Sequence, residues 1–418
     1  MRLQNVFRAL HSRNYRLFFS GQAISLIGTW ITRIATGWLV YRLTDSALLL
    51  GVVGFASQIP TFFLTPFTGV LADRWNRHDT LVITQVLAMV HSLILAALTL
   101  TGVITVWHII ALSVFQGLIN AFEIPARQSF VVEMVEKKED LGNAIALNSS
   151  IFNAARLVGP SIAGLLIAAF GEGLCFLIDG MSYIAVIAAL MAMKITPRKI
   201  ELPAPHILQE LKAGFKYAFG FTPIRALLLL LGLTSIAGMP YATLMPVFAA
   251  DVLHGGPHTL GFLMGAAGVG ALAGAVYLAS RKSVRGLGKV IVLAASVFGI
   301  GLIAFSLSRV LWFSLLLMVL IGFGMIVQVA SSNTVLQTIV DDDKRGRVMS
   351  LYAMAFMGMT PFGNLLAGFL ANNIGAPNTL IIGGGCCVLG SLLFARKLPV
   401  LREIVRPIYS KMGIIPER

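Results

Sequence analysis

Gly69-Val-Leu-Ala-Asp-Arg-Trp-Asn-Arg77 lies between two long apolar runs, and a degraded copy, Leu278-Ala-Ser-Arg-Lys-Ser-Val-Arg285, returns about 207 residues later. Charged groups so near hydrocarbon are costly, so a chain that places them there twice does so for a specific reason. The copy marks a duplication. Gly159, Gly164 and Gly171 likewise match Gly363, Gly368 and Gly375 at an offset of 204. Glu136-Lys-Lys-Glu-Asp-Leu-Gly142 matches Val340-Asp-Asp-Asp-Lys-Arg-Gly346 in the same register. Three matches at similar offsets predict two parallel repeats about an axis along the membrane normal, an arrangement found in alternating-access transporters.

Composition agrees. Of 418 residues, 57% are hydrophobic and 12% charged, with mean hydropathy +0.84. A soluble domain carries about 25% charged residues, which excludes an ordinary globular enzyme. Apolar runs predict spans at about 15–42, 47–72, 79–101, 105–126, 141–169, 174–193, 224–249, 259–280, 288–307, 311–334, 347–371 and 379–395, each able to cross the bilayer. The expected fold is an all-α membrane protein of twelve transmembrane helices in two pseudo-symmetric six-helix halves. Residues 1–193 form the N-terminal half and 194–223 a cytoplasmic linker with Pro197, Pro203, Pro205 and a helix-like run Ile207–Phe219. Residues 224–396 form the C-terminal half and 397–418 a cytoplasmic tail.

Of 32 Lys and Arg, 28 fall on the side that holds both termini, which predicts cytoplasmic termini of a bacterial inner-membrane protein. The net charge of +14 is therefore topology. It implies contact with membrane lipids and no nucleic-acid partner. Cys175, Cys386 and Cys387 lack metal-ligand spacing and read as packing residues. No removable signal is expected at the N-terminus, and Asn5–Phe19 is expected to lie as an amphipathic segment on the membrane face.

Gly69-x-Leu-Ala-Asp-Arg-x-x-Arg77 resembles the signature loop of the major facilitator superfamily, and Ala155-Arg-Leu-Val-Gly-Pro-Ser-Ile-Ala-Gly164 resembles the antiporter motif of its exporters. Arg13-Asn-Tyr-Arg-Leu-Phe-Phe-Ser-Gly-Gln22, Leu43-Thr-Asp-Ser-Ala47, Pro125-Ala-Arg127 and Phe176-Leu-Ile-Asp-Gly-Met-Ser-Tyr183 are similar to the branch containing the enterobactin exporter and macrolide efflux proteins. Asn76 stands where the loop usually has glycine, and Ala155 replaces the first glycine of the antiporter motif. A left-handed turn there would tolerate Asn76. The resemblance implies that Asp73 pairs with an arginine such as Arg127 and faces a span-11 helix end, forming a latch with Gly69, Arg74 and Arg77. Plain topological anchoring by Arg74 and Arg77 is the alternative. Ser280 replaces the aspartate in the second half, so that copy should close more weakly.

Pro160 inside span 5 removes a backbone hydrogen bond, while Gly159 and Gly164 permit close packing, expected against span 8. This is either a seal on the extracellular side or passive packing. Gln22, Ser25, Thr29, Thr32, Arg33 and Thr36 share one face of span 1. Gln116, Asn120, Glu123 and Arg127 do so in span 4, and Ser149, Asn153, Arg156 and Pro160 in span 5. Polar faces at membrane depth must meet protein or water, and the resemblance implies that these spans line a central cavity. Arg33 and Arg156 have the fork that suits an anionic group. Glu123 is the candidate proton-coupling carboxylate, or simply a partner of Arg127. Asp179 and His91 read as structural. The C-terminal wall, with Gln328, Tyr352 and Phe356, is softer, so an amphipathic, partly anionic organic molecule is the expected cargo.

No phosphate-cradling or paired catalytic constellation occurs, so neither an enzyme nor a cofactor is expected. The expected function is export of a small siderophore- or drug-like molecule by a monomer, with protons as coupling ion. A lipid or lysolipid translocator and a non-transporting receptor or assembly partner are the alternatives.

Overall fold

The computed structural model describes residues 7–194, 207–281, 283–341 and 344–414; among them twelve helices are long and apolar enough to cross a membrane. Span 1 is α1 (Arg13–Thr44), and span 2 is split into α2 (Ala47–Ala56) and α3 (Ile59–Arg74). Spans 3 to 6 are α4 (Arg77–Leu100), α5 (Val106–Met134), α6 (Leu141–Phe170) and α7 (Glu172–Met191). A further helix, α8 (Ile207–Gly220), precedes span 7, which comprises α9 (Thr222–Ala237), α10 (Tyr241–Val247) and a π-helical turn, Phe248–Val252. Spans 8 to 10 are α11 (Pro257–Ala279), α12 (Leu287–Leu307) and α13 (Leu311–Ile339). Span 11 joins α14 (Arg345–Ala353) to α15 (Thr360–Ile374) through a π-helical turn at Met354–Gly358, and span 12 is α16 (Ala376–Lys411). The linker residues 195–206, with their three prolines, lie outside the described residues.

Interruptions fall where proline spoils the helical ladder. Pro60 cannot sit beneath the Ala56 carbonyl, which separates α2 from α3. Pro240 ends the break between α9 and α10, and Pro361 follows the π-turn of span 11, the usual adjustment that absorbs a displaced carbonyl. Two expectations change. The segment before span 1 is a short 3-10 turn at Arg8–His11, and residues from Arg13 onward belong to α1 itself; Asn5 lies outside the described residues. Asn76 is not left-handed but extended (φ −64°), and its side chain accepts from the His78 and Asp79 amides. Asn is there because it caps α4, a task glycine performs less well.

The duplication is visible in the backbone. Gly171 and Gly375 precede α7 and α16 with φ of 79° and 85°, a conformation that glycine alone adopts freely. Trp107 and Trp312, second residues of α5 and α13, are 73% and 80% exposed, as aromatic anchors at a membrane interface are.

By contacts the chain forms two units: residues 1–45, 56–205 and 255–265, and residues 46–55, 206–254 and 266–418. The first unit's core is centred on Tyr15, Phe18, Phe130, Met134, Ala144 and Val186. There the Tyr15 hydroxyl donates to the Ala144 carbonyl at 2.7 Å, and Gly21 lets α1 approach the backbone of α7 at Val186. The second unit's core is centred on Leu231, Ile291, Leu336, Val348, Leu351 and Phe394.

Each unit contains one glycine-to-glycine crossing of the same geometry. In the first, a Cβ on Gly164 would lie 2.7 Å from the Pro257 carbonyl oxygen, and one on Gly261 2.7 Å from that of Pro160. In the second, a Cβ on Gly51 would lie 2.5 Å from the Asn364 oxygen, and one on Gly368 2.8 Å from that of Ala47. In all four cases the contacted carbonyl lies four residues before the opposing glycine. Spans 5 and 8 thus cross as spans 2 and 11 do, at the end away from the basic loops.

Candidate functional site

The polar stripe of α1 divides along its length. Gln22 and Ser25 are buried, and Thr32 donates to Asp179 Oδ2 of α7 at 2.8 Å. Thr29 and Arg33 are exposed; the Arg33 guanidinium stacks 5.2 Å from the Trp30 ring, and Thr29 lies 3.4 Å from the Tyr183 hydroxyl. Trp30 also meets α6, edge-on to Phe152 and against Gly159, where a Cβ would stand 2.5 Å from its own Cβ. Gly159 therefore serves span 1, while Gly164 makes the crossing with span 8. Pro160 is buried inside an unbroken α6.

On α5, Gln116 donates to Asn120 at 2.9 Å, and Arg127 Nε lies 3.0 Å from Glu123 Oε1, both side chains being mostly buried. The Nε–H is not aimed at that oxygen, so the pair is ionic rather than a well-formed hydrogen bond. On α6, Asn153 donates to the Ser149 carbonyl and Arg156 is half-buried. Arg77, at the start of α4, binds Glu133 of α5 at 2.8 Å with side-chain exposures of 13% and 20%. The side chains of Gly69, Asp73 and Arg74 lie outside the described residues.

In the second unit Gln328 is buried and donates to Thr234 of α9 at 3.0 Å, which makes it a packing residue between helices. Tyr352 donates to the Val329 carbonyl, its ring 6.3 Å from that of Phe356. One face of α13 (Ala330, Asn333, Thr334, Gln337 and Thr338), with Arg345 and Met412, lines an open cavity of 490 Å³. Nearby, Lys344 binds Asp341 at 3.0 Å and lies over the Tyr217 ring of α8. The ammonium holds the Asp341 carboxyl below the usual carboxylate range. Burial, then the Asp341 charge, raises the Tyr217 hydroxyl.

Several groupings here were not anticipated. Glu133 is the partner of Arg77, and buried Asn364 accepts from Thr243 at 2.9 Å beside the Gly51 crossing. Asp179 ties α7 to both α1 and α4. An acidic residue inside an apolar span was the available signal for Asp179; the others required the packing. All three cysteines are free thiols, and no His, Cys, Asp or Glu cluster suited to a metal occurs among the described residues.

A family model described as transmembrane secretion effector, of the major facilitator group, matches residues 5–407. The staphyloferrin A transporter of Staphylococcus aureus is 26% identical over 380 residues, covering 91% of this chain and 95% of its own length. Macrolide efflux protein A of Streptococcus pyogenes is 22% identical over 404 residues, covering 94% and 97%. Among solved structures, a mutant of the nucleoside transporter NupG superposes with TM-score 0.72 at 14% identity, over 92% of this chain and 99% of that one. At that identity the likeness concerns the fold.

Proposed function

Because the chain belongs to the transmembrane secretion effector family of the major facilitator type, we propose that it exports a small amphipathic organic molecule of siderophore or drug type out of the cytoplasm by alternating access, in exchange for protons. The relative named for macrolide efflux supports export, and it and the staphyloferrin A transporter support that range of cargo. The observation that carries alternating access is the doubled glycine crossing, spans 5 with 8 and spans 2 with 11. Each crossing is a tight backbone-to-backbone contact between a span of the first repeat and a span of the second, of the kind that two rocking halves make or break.

Arg33 and Trp30 supply the recognition chemistry. The guanidinium engages an anionic group while the indole covers apolar surface. Thr29, Gln116, Asn120, Asn153 and Arg156 extend the polar wall; Tyr352 and Phe356 provide aromatic surface in the second unit. Gln328 acts through packing. Glu123, the proton site expected from sequence, is paired with Arg127 in the structure. Arg77 and Arg127 anchor the cytoplasmic ends of their helices.

The test uses everted vesicles, a pH gradient and a macrolide as cargo. Uptake that survives collapse of the gradient refutes proton exchange, and no uptake of any macrolide removes that class. In the same vesicles Arg33→Gln should lower uptake of an acidic compound about tenfold while sparing a neutral analogue, as expected for loss of one charge-assisted contact.

A further inference from the structure

We infer that Asp179 is a proton-carrying carboxyl, the buried site at which export is coupled to protons; this rests on the exchange reading above. Asp179 is 1% exposed and lies in the apolar helix α7. Oδ2 accepts two hydroxyl hydrogen bonds, from Thr32 of α1 at 2.8 Å and Ser92 of α4 at 2.7 Å. Oδ1 is buried with no hydrogen-bond partner, against Gly28, where a Cβ would stand only 2.6 Å from it.

Among the described residues no ion pair supplies it with a counter-charge. Arg33 follows Thr32 on α1 and stacks on Trp30, while His91 precedes Ser92 on α4 with its ring against Phe115. Tyr183 on α7 lies near Thr29, and Glu123 on α5 is paired with Arg127. Among the described residues none forms an ion pair with Asp179. An ionised carboxylate there would leave a charged oxygen both desolvated and unpaired, whereas the neutral acid leaves only a neutral oxygen unsatisfied. The geometry therefore favours the neutral acid over the carboxylate in this conformation.

The exit is also defined. Ser92 is buried, but Thr32 is only half-buried and adjoins exposed Arg33 on the same helix. Small movement of α1 relative to α7 would break the Thr32 contact and admit water to the carboxyl. Ionisation then becomes affordable, and the proton leaves along the face where an anionic cargo would sit.

Infrared difference spectra of the purified full-length protein, recorded across a pH titration, test the proton directly. Wild type should show a protonated-carboxyl C=O band that Asp179→Asn removes. Thr32→Val should shift the band to higher frequency, since it loses one donor to the carbonyl. A band unchanged in Asp179→Asn overturns the inference whatever the cargo. In everted vesicles with a macrolide, Asp179→Asn should lose the gradient-dependent component yet keep gradient-independent equilibration. Gradient-driven uptake retained in that near-isosteric variant also overturns it. Wild-type uptake indifferent to the gradient would instead defeat the exchange reading. Asp179→Asn should match wild type in thermal unfolding; a variant that fails to fold, while Asp179→Glu folds without the band, would mark the residue as structural only.

Discussion

Adding one methyl group to the crossing of α6 and α11 should shift the conformational balance of the transporter. In Gly164→Ala the new Cβ would sit 2.7 Å from the Pro257 oxygen and 2.9 Å from the Gly261 Cα, against 3.4 Å or more for ordinary contact. All three nearest atoms are backbone, so no side chain can swing away and the helices must separate by about 0.7 Å. Overpacking of this kind costs roughly 1–3 kcal/mol, which changes a two-state equilibrium by about 5- to 150-fold. The whole cost falls on states in which the crossing is made. A cysteine placed near the crossing should therefore label several-fold faster in Gly164→Ala, and the purified protein should unfold at a lower temperature. Gly368→Ala meets the Ala47 oxygen at 2.8 Å and the Gly51 Cα at 2.8 Å. It should reproduce both effects at similar size. Unchanged labelling and melting in both variants would refute the claim that these crossings are a closed interface; a change in one alone would refute their equivalence.

Arg77→Ala strands the mostly buried Glu133 carboxylate and should destabilise the protein by about 1–3 kcal/mol. Chemical denaturation in detergent checks this, with Arg77→Ala/Glu133→Gln recovering part of the loss. The Asp341 contact should make docking of α8 acid-sensitive. Its carboxyl is lowered in the folded protein, so the stabilisation is present above the ordinary carboxylate pKa and is lost as pH falls through the lowered value. Hydrogen exchange across Ile207–Gly220, corrected for the intrinsic pH dependence of amide exchange, should therefore quicken on acidification below the ordinary carboxylate range. In Asp341→Asn it should be raised at neutral pH and insensitive to acid in that range; acid sensitivity surviving in the variant would refute the assignment.

What was legible in the sequence followed from local rules. All twelve spans are set by run length and hydropathy, and the glycines at 159, 164, 363 and 368 by their repeat. The stripe on α1 was visible as one face, but periodicity names a face without naming its neighbour. Hence Thr32 and Arg33, adjacent in the chain, diverge: one turns to α7 and the other stays exposed. Gln328 looked like cavity lining because a polar residue in a span must find a polar partner; that partner proved to be Thr234 within the helix packing. Asp179 read as structural from the sequence, and only the packing shows that it bridges α1 and α4.

The sequence by itself determined a duplicated twelve-helix membrane protein. Backbone hydrogen bonds inside a bilayer are satisfied within each helix, so every span can be recognised without knowledge of any other. Only the tertiary structure decided the polar pairings: Asp179 with Thr32 and Ser92, 147 and 87 residues away, and Arg77 with Glu133, 56 residues away. Such partners meet through the rotation and crossing of helices, which depend on side-chain packing across distant segments. The loop Gly69–Arg77 marks the repeat; the structure joins its last arginine to a glutamate at the end of span 4.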